Sequence, residues 1–231
     1  MYHYQSSDRM SIAPPNTETE KKFEAYRHYL NYEAIRLSSC VNLFRRLHER
    51  RVDRLEEINI APAFFKITTD ALFSTIILWV DKLFDERGDR GIFNFLMFIE
   101  NNRNLLAIEQ LKRRKNYPEG HWMLNRDPIT LEMINGHRRD IQNLACLQNF
   151  TTLRDKFYGH FDKEYFFDRE RLMNEAPTWD DLEKVTVVIS DVINHYSAAY
   201  DGQLFKLEPE NINDLDYLLD RLHTFKKSQN S

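Results

Sequence analysis

Apolar residues recur at steps of three and four from residue 23 onward. Phe23, Tyr26, Leu30, Ala34, Leu37, Val41 and Phe44 mark one face of a long helix, and Thr17 followed by Glu20 gives its start a capping-box spacing. Pro62 opens a second helical pattern through Phe65, Leu72, Ile76, Val80 and Leu83, which the cluster Glu86-Arg87-Gly88-Asp89-Arg90-Gly91 ends. Shorter helices are predicted from Ile92 to about Asn101 and from Leu105 to about Lys115, followed by a loop from Asn116 to Pro128. Thr130 caps a helix through Ile134, Ile141, Leu144 and Leu147 that runs on or restarts before Leu153 and Phe157. Thr178 caps another from Trp179 to about Tyr200, and a last helix spans roughly Ile212 to Phe225. The prediction is an all-α, up-and-down bundle of about seven helices, formed by residues 17–231 as one domain behind a flexible arm, Met1 to Asn16, that Pro14 and Pro15 close.

Composition supports helices over strands. Six Gly and seven Pro in 231 residues are too few to turn a sandwich or barrel every eight to twelve residues. A hydrophobic share of 42% provides a core and argues against disorder. The formal charge of −4 excludes bulk-charge coating of nucleic acid, yet ten Lys plus Arg face six Asp plus Glu in residues 101–160, whereas five face fifteen in 161–220. A basic region precedes an acidic one. Cys40 and Cys146 are too few and too apolar in their surroundings for a disulfide framework, so both read as reduced core thiols. The arm has no signal-peptide run, and the longest apolar stretch, Ala71 to Val80, is half of what a bilayer span needs. A soluble, cytoplasmic protein without a membrane partner is expected.

His137, His160 and His195 lack metal-ligand spacing, and no nucleophile elbow stands out, so neither a metal nor a cofactor is expected. The cations of Lys112-Arg113-Arg114-Lys115, and those around Arg45 and Arg50, read as solvated helix faces. Arg154 differs from them. On a regular helix it shares a face with Leu147, Phe150, Phe157 and Phe161, and a guanidinium that cannot shed its proton needs a counter-charge there. An ion pair, a subunit contact or an anionic ligand would each supply one. His160, six residues on, lies roughly 240° around an ideal helix, so the two side chains meet only if the helix breaks near Gly159 or a second copy supplies the opposite group.

Arg154-Asp155-Lys156, two aromatic residues, Gly159 and then His160 resemble the signature of the HEPN superfamily, an Arg followed after four to six residues by His, and most of all its abortive-infection U-type branch. The likeness runs from about residue 20 to 222, through Asp81-Lys82-Leu83-Phe84-Asp85 and a later Trp-Asp-Asp-Leu helix. It implies a homodimer that brings two Arg/His pairs to one cleft and a metal-independent endoribonuclease of a toxin or antiphage system, with a cognate antitoxin as a further partner. His160 would then be the acid/base of attack by the RNA 2′-OH and Arg154 the phosphate clamp, with Asp155 and Lys156 contacting substrate. The alternative is a module that binds nucleotide, RNA or a protein partner without cutting. Asp155 stands where the branch most often has Asn, and its charge suits a phosphate site only if Arg154 or Lys156 neutralises it.

Overall fold

Thr17 caps the first helix as its spacing predicts: its hydroxyl accepts from the Glu20 amide while the Glu20 carboxylate reaches back to the Thr17 amide. The computed structural model describes residues 17–88, 90–159, 176–209 and 213–229, so the arm ending at Asn16 lies outside the described residues. Nine α-helices occur among these, and no strand. They are α1 (Glu18–Asp53), α2 (Leu55–Ile58), α3 (Pro62–Phe84), α4 (Ile92–Asn101), α5 (Ile108–Lys115), α6 (Leu131–Gln142), α7 (Cys146–Leu153), α8 (Trp179–Asp201) and α9 (Asp214–Gln229). The all-α expectation holds.

One interior boundary differs from the prediction. The segment expected to run unbroken from Leu105 breaks at Ala107, whose extended ψ of 150° separates a 3₁₀ turn, Arg103–Leu106, from α5. The break buries Leu106 and turns its carbonyl to the Arg126 guanidinium. Of the two courses left open after Thr130, the chain takes the restart: the helix ends at Gln142 and begins again at Cys146, so α6 and α7 are separate elements.

α1 is the spine. α3 runs antiparallel to it, since Phe73 stacks on Phe44 while Trp79, later in α3, donates to Glu33, earlier in α1. α8 is antiparallel as well, with Trp179 beside Phe44 and Tyr200 beside Phe23. The main core lies between these helices and α4, α6 and α7, around Leu30, Ile76, Phe95, Phe150, Ile189 and Tyr196. A smaller core joins Leu47 and Phe65 to Leu215 and Leu219 of α9. Asp216 of α9 binds both Arg46 and Arg50 of α1, and Asp220 binds Arg54. The clusters read as solvated therefore serve in part as fasteners: Arg46 and Arg50 to α9, and Arg113 and Arg114 to the buried Glu20.

The last turn of α8 is tied down by charge. Arg27 approaches Asp201 to 2.9 Å, both side chains are buried, and the guanidinium also lies over the rings of Phe23, Tyr200 and Phe205. The two charges are close without a well-aligned hydrogen bond between them. Cys40 and Cys146 are free thiols whose pKa burial pushes up, as inert core cysteines require.

α3 passes the length and composition test for a bilayer span, with an 18-residue window of mean hydropathy 1.4, which exceeds the ten-residue stretch read from the sequence. Its buried face packs against α1 and α7 as a core helix does. Only 22% of that window is buried, however, and Phe64, Ile67 and Leu78 are exposed.

Candidate functional site

The chain leaves α7 at Leu153 and continues as a π-helical turn, Arg154–Gly159. Such turns carry i→i+5 bonds, are rare, and often mark functional positions. α7 buries Cys146, Phe150 and Leu153 against α3, so Arg154 comes next to the last turn of that helix. With about 4.4 residues per turn, residues 154–159 do not follow the roughly 100° spacing of an α-helix. Arg154 is not enclosed by the apolar stripe: its side chain keeps 32% of its surface and pairs with Asp81 of α3 and with its neighbour Asp155. Of the three counter-charges considered, this chain supplies an ordinary ion pair.

Arg154 Nη1 binds Asp81 Oδ2, while Nε and Nη2 reach Asp155 Oδ1 at 2.8 and 2.7 Å. Burial opposes the arginine charge, but the hydrogen bonds Arg154 donates to Asp81 and Asp155, with their charges, outweigh it and hold the pKa above the ordinary arginine value. Asp81 moves the other way. Burial raises its pKa, and the bond and charge from Arg154 only partly offset this. Asp81 is the member of the site that spacing alone does not pick out; the sequence shows it only as part of an acidic helix end.

Arg154 and Asp155 stand on the wall of an open cleft of 880 Å³ between the end of α3, the following loop, the α6–α7 junction and α7. Its shape depends on Gly91, where a Cβ would stand 2.8 Å from the Leu83 carbonyl oxygen, so only glycine lets α4 begin so close to the end of α3. The lining holds four carboxylates (Asp81, Asp85, Glu86 and Asp155) against the guanidiniums of Arg87 and Arg154. Lys156 is exposed on the same turn, and Tyr158 packs edge-on against Phe73 of α3. His160 lies outside the described residues, so Arg154, Asp155 and Lys156 are the predicted site residues that the turn brings together.

A second polar cluster occurs on α6 and α8. His137 Nδ1 and the Tyr196 hydroxyl are 2.9 Å apart, and the His195 ring meets His137 edge-on at 4.9 Å. Burial lowers the pKa of both histidines. Unfolded histidines titrate near 6.5, so the stability these two contribute is fully present above that value. It is lost as the pH falls from there through the lowered folded values, because the unfolded chain then binds protons that the folded chain refuses. The urea midpoint should accordingly fall between pH 7.5 and 5.5, with a flatter profile in a His137→Gln/His195→Gln protein; an identical slope in that protein would assign the acid sensitivity elsewhere. Among the described residues no three His, Cys, Asp or Glu side chains converge as metal ligands.

The AbiU2 family of HEPN proteins has a sequence model that matches residues 20–222, which is most of the chain and includes the Arg154 turn, the cleft and the Thr178-capped α8 but neither the arm nor Thr17. The chain belongs to the AbiU2 family. As an AbiU2 protein it is an abortive-infection HEPN module, and its all-α architecture is that of the family. No curated protein and no solved structure matches it.

Proposed function

We propose that this AbiU2 protein is a metal-independent endoribonuclease of an antiphage or toxin system, acting in the cytoplasm as a homodimer. The observation that carries the reading is Arg154, the arginine of the family motif, standing on a π-helical turn at the wall of an open cleft, with its charge partnered but its side chain still accessible. In this mechanism His160 removes the proton of the RNA 2′-OH and protonates the departing 5′-oxygen. Arg154 supplies two N–H groups to the phosphate as its charge develops. Arginine suits that role because its guanidinium stays charged and matches phosphate oxygens bidentately.

The carboxylates make one demand on the mechanism. Arg154 already holds Asp81 and Asp155, so a phosphate must displace at least one of them. Asp155 is the one to give way, because it is the more exposed partner, 49% against 12% for Asp81. Asp81 then keeps the guanidinium oriented. The ion pair also answers the charge that Asp155 brings in place of Asn: in the resting site Arg154 neutralises it. With four carboxylates around two guanidiniums, one protomer's cleft is electronegative, and RNA needs the further cations that Lys156 and the same turn of a second copy provide.

Pairing has support in the apolar side chains left exposed at the end of α1 (Val52), on α2 (Leu55) and on the first turns of α3 (Phe64 and Ile67). The mass in solution should therefore be that of a dimer, close to twice 27.8 kDa, at micromolar concentration by light scattering. A monomer at tens of micromolar would remove the shared cleft from the mechanism. RNA cleavage that is lost in both Arg154→Ala and His160→Ala proteins tests the activity itself. The cognate antitoxin would be a protein or transcript that covers the cleft.

A further inference from the structure

The segment after α5 builds an exposed array of aromatic rings that the Arg154 site does not use. α5 closes on Lys112-Arg113-Arg114-Lys115, and Asn116 ends it in the left-handed conformation at φ 50°. The chain then reverses: the His121 amide donates to the Pro118 carbonyl, and Gly120 takes φ +81°, where only glycine is unstrained. The reversal lays the Tyr117 and His121 rings parallel, 4.0 Å apart and within 4° of each other. His121 Nδ1 accepts from the Met123 amide, which fixes the ring, and Trp122 continues the array 5.8 Å from His121 at 29°.

Packing accounts for part of this. The Tyr117 hydroxyl and Met123 lie against Gly202 just past the end of α8, and Met123 is buried. Trp122 serves no such purpose. It is 73% exposed, more than any other aromatic residue among those described, and it continues an ordered row of rings instead of standing singly on the surface. The charge around it says what. Residues 112–122 carry four cations and one carboxylate, Glu119, in a chain of net charge −4. Glu119 reaches Lys112 at 3.5 Å, with both side chains largely in solvent, and Arg113 keeps 51% of its surface while sharing Glu20 with Arg114. Parallel rings beside a row of cations match alternating bases and phosphates, whereas an apolar protein surface would leave the cations unanswered.

We propose that Trp122, with His121 and Tyr117 behind it, is a stacking platform for an unpaired base of single-stranded RNA, and that Lys112, Arg113 and Lys115 hold the adjoining phosphates. The proposal rests on the ribonuclease reading and supplies its substrate class, unpaired RNA held outside the cleft, since none of these residues lines it. Trp122 is a positioning residue. It gathers substrate and takes no part in bond cleavage.

The test separates binding from cutting. A single-stranded 2′-O-methyl oligonucleotide cannot undergo 2′-OH attack, so its affinity for the full-length protein is read by fluorescence anisotropy whether or not the protein is a nuclease. Trp122→Ala should weaken this binding about five- to hundredfold, the scale of one lost base stack, while Trp122→Phe keeps most of it and a blunt duplex is bound equally by all three proteins. With cleavable RNA, Trp122→Ala should raise KM and leave kcat within about twofold. Binding that depends on Trp122 in a protein that cuts no RNA would overturn the nuclease reading and keep the platform. The platform falls if the parent protein fails to bind the strand, if Trp122→Ala binds it within twofold of the parent, or if that substitution changes the oligomeric mass and not the affinity, which would make the ring a protein contact.

Discussion

Replacing His160 by alanine should lower the rate of RNA cleavage by about two to four orders of magnitude, the usual cost of a lost acid/base group, with the helical circular-dichroism signal intact. Arg154→Ala should lose activity on a similar scale, because the clamp acts on charge that develops in the transition state. Its effect on folding should be small. The side chain is one-third exposed and its two ion pairs sit at the wall of an open cleft, where such pairs contribute at most about 1 kcal/mol. Arg154→Lys separates charge from geometry: it retains the cation, loses the fork, and should recover little activity. A purified His160→Ala protein that cuts as fast as the parent would place the activity elsewhere. One that unfolds would give His160 a structural role.

Asp201→Ala should behave in the opposite way, destabilising the fold by about 3–5 kcal/mol without touching the cleft. It removes the buried carboxylate of the two that meet Arg27 and leaves the guanidinium, packed against Phe23, Tyr200 and Phe205 at the end of α8, with the partly exposed Glu24 of α1 as its remaining ion-pair partner. The Glu24 pair and cation–π contacts with three rings soften the loss, so the low end of that range is expected. Replacing both residues, Arg27→Met with Asp201→Ala, should recover much of it, because the cost lies in the unpaired charge. Urea unfolding of the three proteins measures this. A single variant within 1 kcal/mol of the parent would mean that Glu24 or water satisfies Arg27 in the folded chain without Asp201.

These two outcomes also mark what the sequence makes legible. Long elements with strong local signals are readable: α1 from its apolar stripe and Thr17–Glu20 box, α3 from Pro62, and α8 from Thr178, where Asp181 completes a second capping box. The break at Ala107 is not readable, because it depends on Leu106 finding the core and Arg126 finding a carbonyl. At the site, a spacing rule identifies Arg154 but not its state. An arginine on an apolar stripe needs a counter-charge, and that is as far as periodicity goes. That the counter-charge is Asp81, 73 positions earlier, follows from α7 packing antiparallel on α3, a tertiary fact with no local signature. The π-helical turn is equally silent in the sequence, yet it decides where residues after Leu153 point.

The central claim, RNA cleavage by protein side chains alone, is tested most directly with one labelled strand and its DNA counterpart, incubated with the purified protein in excess EDTA. The account predicts that the RNA is cut to fragments ending in a 2′,3′-cyclic phosphate and beginning with a 5′-hydroxyl, and that the DNA, which lacks the attacking hydroxyl, stays whole. Cleavage of the DNA, or RNA cleavage abolished by EDTA and restored by Mg²⁺, would contradict it.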